Sequence, residues 1–245
     1  MHKILKGMKY AIIAAGEGSR LAAEGVTVPK PLVEICGERL VDRLIRIFMQ
    51  NDAEDIVVIC NDRTAQVASH LAALQRDGLR GRPVPLRFVA KCTPGSMHSF
   101  FEISHWLGER KFVLTTVDTI FREDEFAAYA EAFRQADAGL FPVTGYVEDE
   151  KPLYVETNEH LDILGFHDDC RQSRYVSAGI YGLEPVALQT LRRCRERGEH
   201  RMRDFQRALV ADGVPLKAFP FSKVLDIDHA ADILQAERFL ASSLS

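Results

Sequence analysis

Two hydrophobic rhythms alternate along the first part of the chain. Short apolar runs rich in Val, Ile, Ala and Phe, at 10–14, 55–60, 85–89 and 111–117, have the length of buried strands. Apolar residues spaced three and four apart predict helices over 63–76, 96–107 and 123–135, and another strand follows at 138–144. Strand and helix in turn imply a mostly parallel sheet with helices on both faces.

From 148 the rhythm changes. A polar stretch leads to Lys151 and Pro152, and three runs separated by turn residues, at 153–157, 161–166 and 175–183, read as antiparallel strands that extend the sheet. Helices over 185–195 and 200–212, a strand at 216–221 and a terminal helix over 230–242 complete the pattern. No internal repeat, low-complexity tract or linker interrupts it. Residues 1–245 are therefore expected to form one α/β domain, a Rossmann-like mixed sheet, mostly parallel, with an antiparallel extension.

In open sheets of this kind ligands sit beyond the carboxyl ends of the strands, and there the first strand runs into a glycine loop. Ile12 and Ile13 lead to Ala14-Ala15-Gly16-Glu17-Gly18-Ser19-Arg20-Leu21, and Pro29-Lys30-Pro31 follows. Gly16 and Gly18 let the backbone turn and bring its N–H groups close to phosphate oxygens, while Arg20 and Lys30 add charge that persists at physiological pH. The two prolines stiffen the segment that presents Lys30. The string is not a P-loop, which requires Gly-Lys-Ser/Thr, nor a dinucleotide fingerprint, whose third glycine would stand where Leu21 is. A lone Gly-x-Gly is also compatible with a plain turn carrying surface charges; the lysine between prolines favours a triphosphate clamp.

Strand 111–117 ends on Asp118, a carboxylate at the tip of an otherwise apolar run, and Asp226 and Asp228 alternate on one face of an extended segment. Magnesium takes one or two carboxylates together with substrate phosphate oxygens, so Asp118 with one of that pair would suffice. Two other uses stay open. Asp118 could cap the helix near Asp124, and Asp228 the terminal helix, which makes Asp226 the better ligand candidate. Gly95 and Ser96 stand at a predicted helix start, where N–H donors are exposed, and the nearby His98 reads equally as a packed or surface imidazole.

Ala15-Gly16-Glu17-Gly18-Ser19-Arg20-Leu21 followed by Pro29-Lys30-Pro31-Leu32 resembles the signature of the nucleoside-triphosphate transferase superfamily, the sugar-nucleotide pyrophosphorylases and related cytidylyltransferases. The resemblance implies the nucleotide-diphospho-sugar transferase fold, with Ala14, Ala15, Gly16, Glu17, Gly18 and Ser19 at the nucleotide's phosphates. Arg20 would then neutralise the departing pyrophosphate, Lys30 would reach the α-phosphate, and Gly95 and Ser96 would contact the base. Val224-Leu225-Asp226-Ile227-Asp228-His229 resembles the superfamily's closing metal motif, in which either aspartate can be the ligand. Here its usual Thr-Pro-Glu is replaced by His229-Ala230-Ala231, which leaves the choice open. Tyr175-Val176-Ser177-Ala178-Gly179-Ile180-Tyr181 is similar to the strand beside the acceptor pocket, with Gly179 permitting close approach. Phe166-His167-Asp168-Asp169 stands where a Glu-Lys-Pro segment is usual, so the lysine that often holds the acceptor phosphate is not carried over; Lys223 and Lys151 are candidate substitutes, each of which also reads as a solvated surface charge.

The expected reaction is transfer of a nucleoside monophosphate from a nucleoside triphosphate to a phosphorylated sugar or alcohol, with magnesium, release of pyrophosphate and no protein nucleophile. The alternatives are a GT-A-like glycosyltransferase and a non-catalytic nucleotide-sensing module. The first would usually carry Asp-x-Asp where this chain has Val117-Asp118-Thr119. A formal charge of −4 with no long basic run argues against a nucleic-acid footprint, so the expected partners are the two small substrates, with oligomeric state open. Lys3, Lys6 and Lys9 precede only a short apolar strand, too brief for a signal or a membrane span. The five cysteines are scattered, without a Cys-x-x-Cys pair, and are expected to be reduced and buried, in keeping with a cytoplasmic location.

Overall fold

The computed structural model describes residues 7–147, 151–171 and 173–242; Lys3, Lys6 and residues 148–150 of the polar stretch lie outside them. The chain opens with β1 (Met8–Ala14) and the short α1 (Ser19–Ala23), then a hairpin of β2 (Glu34–Ile35) and β3 (Glu38–Arg39), then α2 (Leu40–Gln50). Next come β4 (Ala53–Cys60), α3 (Ala65–Asp77), β5 (Leu86–Ala90), α4 (Ser96–Ile103), β6 (Phe112–Thr116), β7 (Thr119–Ile120), α5 (Glu123–Gln135) and β8 (Gly139–Thr144). β9 (Tyr154–Thr157), β10 (Ile163–His167), β11 (Tyr175–Ser177) and β12 (Ile180–Leu183) follow. The chain then forms α6 (Ala187–Glu196), α7 (Met202–Ala211), β13 (Leu216–Phe221), β14 (Leu225–Asp226) and α8 (Ala230–Ala241).

The main sheet runs in the spatial order β10-β9-β11-β8-β12-β6-β1-β4-β5, with β13 beside β8. β6, β1, β4 and β5 are parallel, Ile12 lying opposite Val58 on one side and Thr115 on the other. β12, β8, β11, β9 and β10 continue the sheet through antiparallel pairs, while β13 is parallel to β8. A parallel half with an antiparallel extension is the fold class that the sequence pattern implies.

The alternation of β1 explains the helices on both faces. Tyr10, Ile12 and Ala14 enter one core and Ala11 and Ile13 the other, as successive strand side chains point to opposite sides. The first core takes Phe48 of α2, Leu71 of α3, Phe126 and Phe133 of α5 and Phe239 of α8; the second takes Phe100 of α4, Leu191 of α6 and Phe205 of α7. Phe126 is fully buried, its ring 4.9 Å from Phe121 and 5.6 Å from Phe48. Phe126→Ala should therefore cost about 3–5 kcal/mol of stability, read from urea unfolding, because both burial and packing are lost and a cavity remains. A cost below about 1 kcal/mol would mean that this aromatic cluster is loosely packed.

Three elements depart from the expectations. The pattern above assigns no element to 40–50, where α2 buries Leu40, Val41, Leu44, Ile45, Ile47 and Phe48. Arg43 interrupts that stripe: it is 3% exposed, with Nη2 donating to the Phe121 carbonyl at 2.8 Å, so a core-facing position carries a charged residue. The single strand expected over 175–183 breaks at Gly179, whose φ of 69° turns the chain from pairing with β8 and β9 to pairing with β6 and β8. The cysteines are all free, and Cys60 and Cys194 are buried as expected. Cys36 and Cys170 are exposed, the former in the β2–β3 turn at φ 52°. Among the described residues no helix is long and apolar enough to cross a membrane.

Candidate active site

Because β1 and β6 are neighbours, the glycine loop and Asp118 emerge side by side at their carboxyl ends. The Val117 N–H donates to the Ile13 carbonyl at 3.0 Å, closing the ladder just before Asp118. The C-terminal segment docks on the same edge: Asp226 lies opposite Thr119 in the β14–β7 pair, and the Ile227 N–H donates to the Asp118 carbonyl at 3.2 Å. Leu225 and Ile227 are buried, which turns Asp226 and Asp228 together to the other side, as the alternation of an extended segment requires.

Lys30 begins a 3-10 turn, Lys30–Leu32, between its two prolines. Its Nζ donates to Asp118 Oδ2 at 2.5 Å and to Asp228 Oδ1 at 2.7 Å, while Arg20 Nη1 donates to Asp228 Oδ2 at 2.9 Å. Burial works against the Lys30 charge, but Asp118 and Asp228 outweigh it and hold the ammonium above its ordinary pKa. Burial likewise disfavours the Asp228 carboxylate, yet hydrogen bonding and charge from Lys30, with Arg20 and His229 adding to them, keep its pKa below the usual value. Gly18 makes the lysine's position accessible: it adopts φ 61°, and a Cβ there would stand 3.2 Å from Lys30 Cβ.

Neither aspartate serves as a helix cap. Asp118 is engaged with Lys30, and α5 starts after Arg122 without a side-chain cap. At α8 the capping carboxylates are Asp232, which accepts from the N–H groups of Asp228 and His229, and Glu24, which accepts from the Ala230 N–H at 2.7 Å.

Two cavities meet at Asp118. The first is walled by Gly16, Gly18, Arg20, Lys30, Asp118 and Asp228, with Ala14 and Ser19 also on its lining. Ala15 is half-buried and Glu17 exposed, its Oε1 accepting from Arg63 Nη1 at 2.8 Å. The second is walled by Ser96, Thr116, Ser177, Gly179, Asp118 and Asp226. Gly179 packs against the threonines of β6 and β7, where a Cβ would lie 3.2 Å from Thr119 Oγ1. The Tyr181 phenol at this wall is pushed above its ordinary pKa by burial first, and then by the charges of Asp226 and Asp118.

Several expected site residues are not brought to the place assigned to them. Ser96 lines the second cavity, not the first, and Gly95 lies against the His200 backbone, where a Cβ would meet the carbonyl oxygen at 2.8 Å. Lys223 is on neither wall; its Nζ sits 3.8 Å from the centre of the Tyr146 ring. Lys151 does reach the second cavity, together with Arg201, Arg203 and Gln206, none of which the sequence singled out. Arg201 and Arg203 flank the start of α7, far along the chain from Asp118, and no local pattern announces that approach.

Among the described residues no cluster of three or more His, Cys, Asp or Glu side chains is arranged to hold a metal by itself. Magnesium needs less from the protein where a polyphosphate completes its shell, and two cavity-facing carboxylates are an oxygen donor set that suits it.

The nucleotidyl transferase family model matches residues 9–243, and the chain belongs to that family. A bifunctional IPC transferase and DIPP synthase of Rubrobacter xylanophilus is 25% identical over 245 residues, covering 96% of this chain and 52% of that protein. The chain thus spans about half the length of that relative. The inositol-1-phosphate CTP transferase of T. maritima superposes with a TM-score of 0.75 at 20% identity, covering 96% of this chain and 98% of the other. The UTP-bound UGPase of Acinetobacter baumannii gives 0.77 at 16%, covering 95% and 92%. The two solved structures share the fold.

Proposed function

We propose that the chain transfers a nucleoside monophosphate from a nucleoside triphosphate to a phosphorylated sugar or alcohol. An oxygen of the acceptor phosphate forms a bond to the α-phosphorus, the bond from that phosphorus to the bridging oxygen breaks, and pyrophosphate leaves. Family membership supports this class, as do the inositol-1-phosphate and CTP named for one similar solved structure and the UTP bound in the other. The observation that carries it is the junction at Asp118, where a cavity walled by glycines, Arg20 and Lys30 opens onto a second cavity lined by hydroxyl groups.

The acceptor phosphate is already anionic at neutral pH, so no side chain needs to generate a nucleophile. The demand on the protein is to hold two anions in line against their repulsion. In this reading the loop N–H groups and Arg20 bind the triphosphate tail, and the Lys30 ammonium neutralises charge at the α-phosphate. Asp118 would hold magnesium together with Asp226, which lines the second cavity with it, or with Asp228, which lines the first. When bound, the ion supplies positive charge that offsets the repulsion between the two phosphates.

The test is pyrophosphate release with magnesium, offering each of the four ribonucleoside triphosphates against pools of sugar 1-phosphates, alditol phosphates and phosphocholine. Release that requires both one triphosphate and one pool is the expected result. Triphosphate binding without release from any pool would favour a nucleotide sensor. In the same assay Arg20→Ala should lower the rate by about 10²-fold, the loss typical of one preorganised stabiliser of developing charge. A variant altered only in its melting temperature would make Arg20 structural.

A further inference from the structure

An acceptor phosphate entering the second cavity meets Asp118 and Asp226 on one wall, and removing water strengthens their repulsion. Lys151, Arg201 and Arg203 line the same cavity and add positive charge to it. Arg203 is fixed in place. Its Nη1 donates to Asp168 Oδ1 at 2.6 Å and its Nη2 to the Lys151 carbonyl at 3.1 Å. The other Asp168 oxygen pairs with Arg207 Nη2 at 2.7 Å, and Arg207 Nη1 lies 4.0 Å from Asp204, so one carboxylate is shared by two guanidinium groups and holds both in place. Arg201 is extended, at φ −106° and ψ 147°, just before the helix begins, which brings it to the same cavity as Arg203 while Met202 between them is buried.

We propose that Arg201 and Arg203 form the anion subsite that holds the acceptor's phosphate, and that Asp168 is the positioning residue that aims Arg203. The remainder of the wall sets the class of acceptor. Ser96, Thr116, Ser177 and Tyr181 present hydroxyl groups, and the buried Gln206 accepts from the Ser177 hydroxyl at 3.0 Å. Among the described residues that line it Tyr181 is the one aromatic, short of the several ring faces that enclose a quaternary ammonium group. The acceptor is accordingly a polyhydroxylated phosphate monoester. This rests on the nucleotidyl-transfer reading.

The experiment compares wild type with Arg201→Met, Arg203→Met, Arg203→Lys and Asp168→Asn in steady-state kinetics with the acceptor that wild type uses. In parallel, inorganic phosphate is titrated into each protein with the first cavity saturated by a non-hydrolysable triphosphate. Each Arg→Met change should raise the acceptor KM about 10- to 100-fold, as expected for loss of charge-assisted hydrogen bonds, with the triphosphate KM within about twofold of wild type. Arg203→Lys should recover part of the affinity. Asp168→Asn should raise the acceptor KM with little change in kcat. Unchanged acceptor KM values in both Arg→Met variants, with pyrophosphate still released, would overturn the subsite and leave the transfer reading standing; preference for phosphocholine would overturn the acceptor class. If wild type releases no pyrophosphate, the transfer reading fails, and the phosphate titration decides the subsite alone: weaker binding in the Arg→Met variants upholds it, equal binding removes it.

Discussion

Asp118→Asn should reduce magnesium-dependent pyrophosphate release by about 10³-fold or more while leaving the fold in place, the loss expected when several kcal/mol of metal-mediated charge stabilisation disappears. The substitution removes a charge and almost no volume. The Asn oxygen can still accept from Lys30 Nζ, which also keeps its bond to Asp228 at 2.7 Å, so the lysine stays where it is. The backbone is held independently, through the Ile227 N–H on the Asp118 carbonyl and the β7–β14 pair. Stability should fall by only about 1 kcal/mol, the worth of one weakened hydrogen bond. Release assayed across a magnesium titration, beside a thermal melt, separates the two effects. Near wild-type turnover in a folded variant would end the assignment of Asp118 to the metal.

Legibility in the sequence followed the range of the interaction. The strand 10–14, the glycine loop and Asp118 are local features, each a run of one rhythm ended by a residue that breaks it, and they converge because adjacent parallel strands put their carboxyl ends together. The helix over 123–135 was equally plain, with three acids in its first turn. α2 was hidden because the core accepts Arg43, whose Nη2 donates to the Phe121 carbonyl and lies 3.6 Å from Glu123, contacts that exist only after folding. The break at Gly179 depends on which strand offers the next free edge, and that is a property of the assembled sheet. At the second cavity the same limit applied. Lys223 reads as a free cation in sequence, but Tyr146 engages it. Arg203 looks like one more charge on an amphipathic helix until Asp168, from the turn after β10, orients it.

Lys30→Met tests the centre of the site, and an activity loss of about 10²- to 10³-fold is expected, since a preorganised cation at a developing charge is removed. The side chain is only 10% exposed and methionine has similar length, so the packing beneath Gly18 survives. What remains is an electrostatic fault: Asp118 and Asp228 lose the ammonium that lies between them, and Arg20 is left to balance Asp228 alone. Asp118 and Asp228 are 19% and 43% exposed, so water screens part of the repulsion and the stability cost should stay near 1–2 kcal/mol. Lys30→Arg sharpens the test. It preserves the charge, but a planar guanidinium does not reproduce the geometry of a compact ammonium at 2.5 Å and 2.7 Å from two carboxylates, so activity should still fall at least about tenfold. Full activity in Lys30→Arg would mean that any cation in this region suffices, and full activity in Lys30→Met would assign the lysine to holding Asp118 and Asp228 together in the fold, with no part in the transfer.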